Sequence, residues 1–241
     1  MLVAQTLENR KHQTNNMLST KIAAVAFDMD GLLLNTEDLY NDVGEMLMER
    51  RGKLYRDSVR KRMIGLPAPQ AFGVLIEAES LTETWEELHD ETLEIFEAIL
   101  PTRLALMPGA KELLQLVEAL KIPRCVATSS SREFAEKALL QVGVLSHLDF
   151  VLTAADVARG KPFPDIYQES AKRMRAEVST MLVLEDSPNG TRAGVTAGAY
   201  VVSVPNEHTE GGDFTGAQWI ANTLQDERLS KLLNPKSQPA A

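Results

Sequence analysis

Short continuous apolar runs recur along the chain at Ile22 to Phe27, Ile122 to Ala127, Phe150 to Leu152, Met181 to Leu184 and Tyr200 to Val204. Helical periodicity fills the intervals between the later runs. Runs of this length that do not alternate with polar residues mark strands buried on both faces, and their alternation with helices predicts an α/β fold with a parallel sheet covered on both sides. The helices have legible ends. One pattern runs through Phe134, Leu139 and Val142 and stops at Gly143, and another begins near Asn189 and stops at Gly198.

The interval between the first and second runs carries no strand pattern and is too long for a single crossover helix. Leu39, Val43, Met46 and Leu47 fall on one helical face, and Trp85, Leu88, Thr92, Ile95, Phe96 and Ile99 fall on another. Residues 37–103 are therefore expected to form an inserted helical bundle. The core is expected at 21–36 and 104–222, with a short edge strand at Gln218-Trp219-Ile220 and a last amphipathic turn and polar tail over 223–241. Residues 1–20 are polar and aperiodic and read as a mobile tail. Within it, Met17 offers an alternative start.

Composition narrows the class. At 241 residues and 44% apolar content, the chain can bury a full core. Its formal net charge of −9 gives no overall field that would draw nucleic acid or an anionic membrane, so the expected partner is a small molecule. No stretch is long enough for a signal peptide core or a membrane span. Cys125 is the only cysteine, and the four histidines are scattered without ligand spacing, so neither a disulfide framework nor a zinc site is expected. The protein reads as cytoplasmic, and as a monomer or weak homodimer.

Candidate chemistry collects at the ends of the predicted strands, where open parallel sheets bind ligands. The first strand ends in Asp28-Met29-Asp30-Gly31. Two adjacent carboxylates can divide labour, one attacking phosphorus and the other protonating the leaving oxygen and then activating water. A simple Asp-Gly turn is the bland alternative. A calcium loop is another, but Ala26 and Leu34 stand where ligands would be needed. After the second strand, Thr128-Ser129-Ser130-Ser131 offers a hydroxyl and backbone N–H groups to phosphate oxygens, although serine runs are also ordinary caps. Lys161, in Gly160-Lys161-Pro162-Phe163-Pro164-Asp165, can neutralise phosphoryl charge, although lone lysines are usually just solvated. Glu185 and Asp186 close the fourth strand with hard oxygen ligands suited to Mg²⁺, or with caps for the next helix. Together these clusters supply nucleophile, acid/base, phosphate donors, charge neutraliser and metal ligand.

In this order the motifs closely resemble those of the haloacid dehalogenase-like hydrolases, from Asp28 to Gly190. The resemblance implies a Rossmann-like core with an inserted helical cap. It implies Asp28 as nucleophile, Asp30 as acid/base, Thr128 and the Ser129 amide as phosphate ligands, and Lys161 as stabiliser. Asp186 is implied as a Mg²⁺ ligand, with the Asp28 carboxylate and the Asp30 carbonyl also touching the metal and Glu185 assisting. The position of the insertion resembles the branch that contains β-phosphoglucomutase and pseudouridine-5′-phosphatase. A mutase would carry a cap arginine and a histidine where this chain has Gly65-Leu66-Pro67-Ala68 and Tyr40. Losing a charged clamp for a second phosphate favours hydrolysis over phosphate return. A receiver-type phosphoacceptor is disfavoured by motif order.

The resemblance therefore implies a Mg²⁺-dependent phosphatase acting on a small phosphorylated metabolite, a sugar phosphate or nucleoside monophosphate, through an aspartyl-phosphate. The loop holding Gly65 and Leu66 is the expected cap contact with substrate. The basic stretch Arg50 to Arg62 and the acidic stretch Glu77 to Glu97 are expected to be solvated faces.

Overall fold

The computed structural model describes residues 21–63, 66 and 68–234. In chain order these form β1 (Ala24–Phe27), α1 (Thr36–Glu49), α2 (Asp57–Met63), α3 (Ala68–Glu79), α4 (Trp85–Arg103), α5 (Ala110–Ala119), β2 (Arg124–Ala127), α6 (Arg132–Gln141), β3 (Phe150–Leu152), α7 (Asp165–Arg173), β4 (Met181–Glu185), α8 (Pro188–Ala197), β5 (Tyr200–Ser203), β6 (Trp219–Ile220) and α9 (Glu227–Leu233). The expected tail over 1–20 and the residues after 234 lie outside the described residues.

The strands form one parallel sheet in the order β3-β2-β1-β4-β5-β6. Alternation along each strand sorts the core into two faces. Ala24, Ala26, Cys125, Ala127, Met181 and Val183 pack with Ile166, Tyr167 and Ala171 of α7 and Ala193 and Ala197 of α8. Val25, Phe27, Val126, Leu182, Leu184 and Val202, pointing the other way, are also buried. Both strand faces are therefore covered, as continuous apolar runs require. The first two strands begin at Ala24 and Arg124, two residues later than the apolar runs. The edge segment pairs with β5 as β6. The last amphipathic turn is a seven-residue helix, α9.

The chain divides into two compact units. One comprises residues up to Leu34 and from Leu106 onward, and the other is Asn35–Ala105. In the first unit the chain leaves through a turn at 31–33, and Leu34 bridges both Asp30 and Leu106.

The second unit is helical. In α1 the buried apolar residues are Leu39, Val43, Leu47 and Met48; Met46, on the expected face, is only half-buried, and Met48, about 200° round the helix from it, is buried as well. In α4, Leu88, Ile95, Phe96, Ile99 and Leu100 are buried, while Trp85 and Thr92 are half-buried. The basic and acidic stretches pair with each other. Arg51 reaches Glu83 at 2.7 Å and Glu91 at 2.6 Å, and Arg56 reaches Glu79 at 2.7 Å.

Candidate active site

Strand order reverses direction about β1: β2 and β3 lie on one side, and β4 begins the other. The carboxyl ends of β1 and β4 therefore flank the place where an open sheet binds ligands. The register pairs Phe27 with Leu184 and with Val126, and the Asp28 amide donates to the Leu184 carbonyl at 2.9 Å. Asp28 and Glu185 leave adjacent strands side by side.

Lys161 closes the gap between them. Its ammonium donates to Asp28 Oδ1, to Glu185 Oε1 at 2.6 Å and to the Ala127 carbonyl at 2.8 Å, and its side chain is only 5% exposed. A buried ammonium needs such compensation. Burial opposes its charge, but the Asp28 and Glu185 carboxylates outweigh that and hold Lys161 protonated well above its ordinary range. Burial, reinforced by Glu185, pushes the Asp28 carboxyl well up against the pull of Lys161.

Asp30 is held separately. Its Oδ2 accepts from Thr128 Oγ1 at 2.9 Å and from Ser130 Oγ at 2.7 Å, while the Ser130 amide donates to Thr128 Oγ1 at 3.0 Å. Ser129 is exposed. Across the site, Asn206 Nδ2 donates to Asp186 Oδ2 and to the Gly31 carbonyl, both at 3.0 Å. Gly31 has φ +80°, and a Cβ there would stand 2.5 Å from Asp186 Oδ2, so this turn requires glycine for conformation and for space.

Carboxylate oxygens of Asp28, Glu185 and Asp186, all buried, lie within 4.8 Å of one another. With Asp30 the site holds four carboxylates, two of them on the Lys161 ammonium, an excess of negative charge that a hard divalent cation would offset. The oxygen-only donor set fits such an ion. Glu185 already has protein partners at both oxygens: Lys161 and the Tyr167 hydroxyl at Oε1, and the Ser187 hydroxyl at Oε2 at 3.0 Å.

The structure thus brings together Asp28, Asp30, Thr128, Lys161, Glu185 and Asp186. In the expected cap contact, Leu66 is 40% exposed, while Gly65 lies outside the described residues. Three polar partners were not singled out from the sequence: Ser130, Tyr167 and Asn206. Asn206 has a legible signal, since it follows the fifth strand at the same sheet edge. Tyr167 has none, because an aromatic residue at a helical core position reads as packing alone.

Comparison with known proteins agrees with this geometry. The model of the haloacid dehalogenase-like hydrolase family matches residues 25–204. A Drosophila melanogaster protein named as a probable pseudouridine-5′-phosphatase is 35% identical over 217 residues, covering 88% of this chain and 94% of that one. The phosphorylated carbohydrates phosphatase of Thermotoga maritima is 31% identical over 214 residues, covering 87% and 97%. In fold, a haloacid dehalogenase family hydrolase from Deinococcus radiodurans R1, solved with bound phosphate and sodium, superposes with a TM-score of 0.77 at 24% identity, covering 92% of this chain and 100% of that one. Fold, site and relatives define a phosphoric monoester hydrolase. The chain belongs to the haloacid dehalogenase-like hydrolase family.

Proposed function

We propose that this chain is a Mg²⁺-dependent phosphatase that hydrolyses a small phosphorylated metabolite, a sugar phosphate or a nucleoside monophosphate, through an aspartyl-phosphate on Asp28. The observation that carries this reading is the buried Lys161 ammonium held against Asp28 at the end of β1, with Asp30 oriented beside it by Thr128 and Ser130. The Asp28 carboxylate attacks phosphorus as the bond to the ester oxygen breaks, and Asp30 delivers a proton to that oxygen. Asp30 then takes a proton from water as the water oxygen attacks phosphorus. The bond to Asp28 breaks, and inorganic phosphate leaves. Lys161, Thr128 and the Ser129 amide stabilise the phosphoryl oxygens.

Asp28 and Asp186 would hold Mg²⁺, with the Asp30 carbonyl and Glu185 assisting. When bound, the ion neutralises charge on the phosphoryl oxygens. The substrate class is supported by the names of the two relatives, a probable pseudouridine-5′-phosphatase and a phosphorylated carbohydrates phosphatase. The helical unit, inserted in the chain soon after Asp30, serves as the cap that recognises the organic part, with Gly65 and Leu66 in its contact loop. The free, buried thiol of Cys125 supports a reducing, cytoplasmic setting, and no described helix is long and apolar enough to cross a membrane.

A phosphate-release screen over sugar phosphates, nucleoside monophosphates including pseudouridine monophosphate, and phosphoglycolate tests the reading. Asp28→Asn is expected to abolish release while leaving the fold intact. Full activity in that variant rejects the nucleophile. Conversion of β-glucose 1-phosphate to glucose 6-phosphate without phosphate release would replace hydrolysis by a mutase reaction.

A further inference from the structure

Tyr167 is fully buried, and its hydroxyl sits 2.5 Å from Glu185 Oε1. That same oxygen receives Lys161 at 2.6 Å, and the Tyr167 ring face lies 5.3 Å from the Lys161 ammonium. Tyr167 therefore meets the lysine twice, through a shared carboxylate oxygen and through its π-face. Local chain geometry explains this. Lys161 lies in the loop that leads into α7, and Tyr167 stands in the first turn of that helix, where its amide donates to the Pro164 carbonyl at 3.1 Å.

Glu185 is confined on its other sides too. Ser187 donates to its Oε2, and Gly190 approaches so closely that a Cβ there would stand 1.8 Å from Oε1. A carboxylate so enclosed cannot swing away from Lys161 unless a donor is lost. We infer that Tyr167 is a positioning residue for the phosphoryl-transfer step: its hydroxyl fixes Glu185, and Glu185 in turn fixes the Lys161 ammonium against Asp28. The inference rests on the phosphatase reading of the site. A lysine aimed where charge develops gains its effect from staying aimed, so loosening it costs transition-state stabilisation more than ground-state binding.

The test is Tyr167→Phe, which keeps the ring and removes the hydroxyl. It is assayed with Mg²⁺ and p-nitrophenyl phosphate beside Asp28→Asn, with inorganic orthovanadate as a mimic of the five-coordinate phosphoryl group. Losing one hydrogen bond to a charged group predicts a fall in kcat of about tenfold. The inhibition constant of vanadate is expected to rise by a similar factor, with KM within about twofold of wild type. In a Glu185→Gln background the same substitution is expected to change kcat by less than about twofold, because the route through Glu185 is already cut. Wild-type kcat in Tyr167→Phe overturns the inference, as does an equal fall in both backgrounds, which would make Tyr167 a packing residue only. Retained turnover in Asp28→Asn rejects the underlying reading of the site instead, so the two failures are told apart.

Discussion

Gly190 has no room for a side chain, because Glu185 occupies the space a Cβ would need. Gly190→Ala is expected to displace that carboxylate at an overpacking cost of about 1–3 kcal/mol, read as a lower urea midpoint, with phosphatase activity falling alongside. An unchanged midpoint would show that the carboxylate can move. Cys125 makes a contrasting case. Burial pushes its thiol up to about 12, so it stays protonated throughout the neutral range. The native protein is expected to resist iodoacetamide at pH 8 and to react once unfolded, as mass spectrometry would show; rapid native labelling would contradict its burial. At this scale the sequence displays the acids and the lysine, because charged residues at strand ends stand out from apolar runs. It hides Tyr167, whose hydroxyl gains meaning only when Glu185, eighteen positions away, folds against it.

Among the elements, the strands are the most legible, since four-residue apolar segments such as Ala24–Phe27, and the four apolar residues that precede Glu185 in β4, are buried on both faces and leave little choice of side chain. The helical ends at Gly143 and Gly198 were legible too, and both glycines take positive φ, 75° and 84°. The helical unit was read less sharply. Periodicity picks out one apolar face of α1, with Leu39, Val43 and Met46, and so misses the burial of Met48 about 200° round the helix. The start of α4 is held by a reciprocal cap: the Thr84 amide donates to Glu87 Oε2 at 2.8 Å, and the Glu87 amide donates to Thr84 Oγ1 at 3.3 Å. Thr84→Ala is expected to cost about 1 kcal/mol, seen as faster hydrogen exchange in the first turn of α4. Unaltered exchange there would mean that packing, not the cap, holds the turn.

For the whole molecule, part of the net charge of −9 comes from the four carboxylates of the site, Asp28, Asp30, Glu185 and Asp186, two of which hold Lys161. A cation bound by the folded chain adds about 2.7 kcal/mol at a hundredfold excess over Kd. For a protein of this length that corresponds to a rise in Tm of roughly 5–10 °C. Saturating Mg²⁺ is therefore expected to raise Tm in wild type without any substrate and to do so far less in Asp186→Ala. A wild-type Tm indifferent to Mg²⁺ would remove the metal from the site, whatever the activity shows.

The sheet order also sets a timetable for biosynthesis. β1 leaves the ribosome first, yet its neighbours are β2, about a hundred residues later, and β4, later still. At roughly 5–20 residues per second, this wholly apolar segment waits about 5–20 s for its first partner. Throughout that interval it is an apolar strand without its sheet partners, open to misassociation. Because Asp28 sits at its end, a translation product that stops before β4 contains Asp28 and Asp30 but neither Glu185 nor Asp186. Such fragments are expected to be inert, so catalysis begins only once β4 has been made.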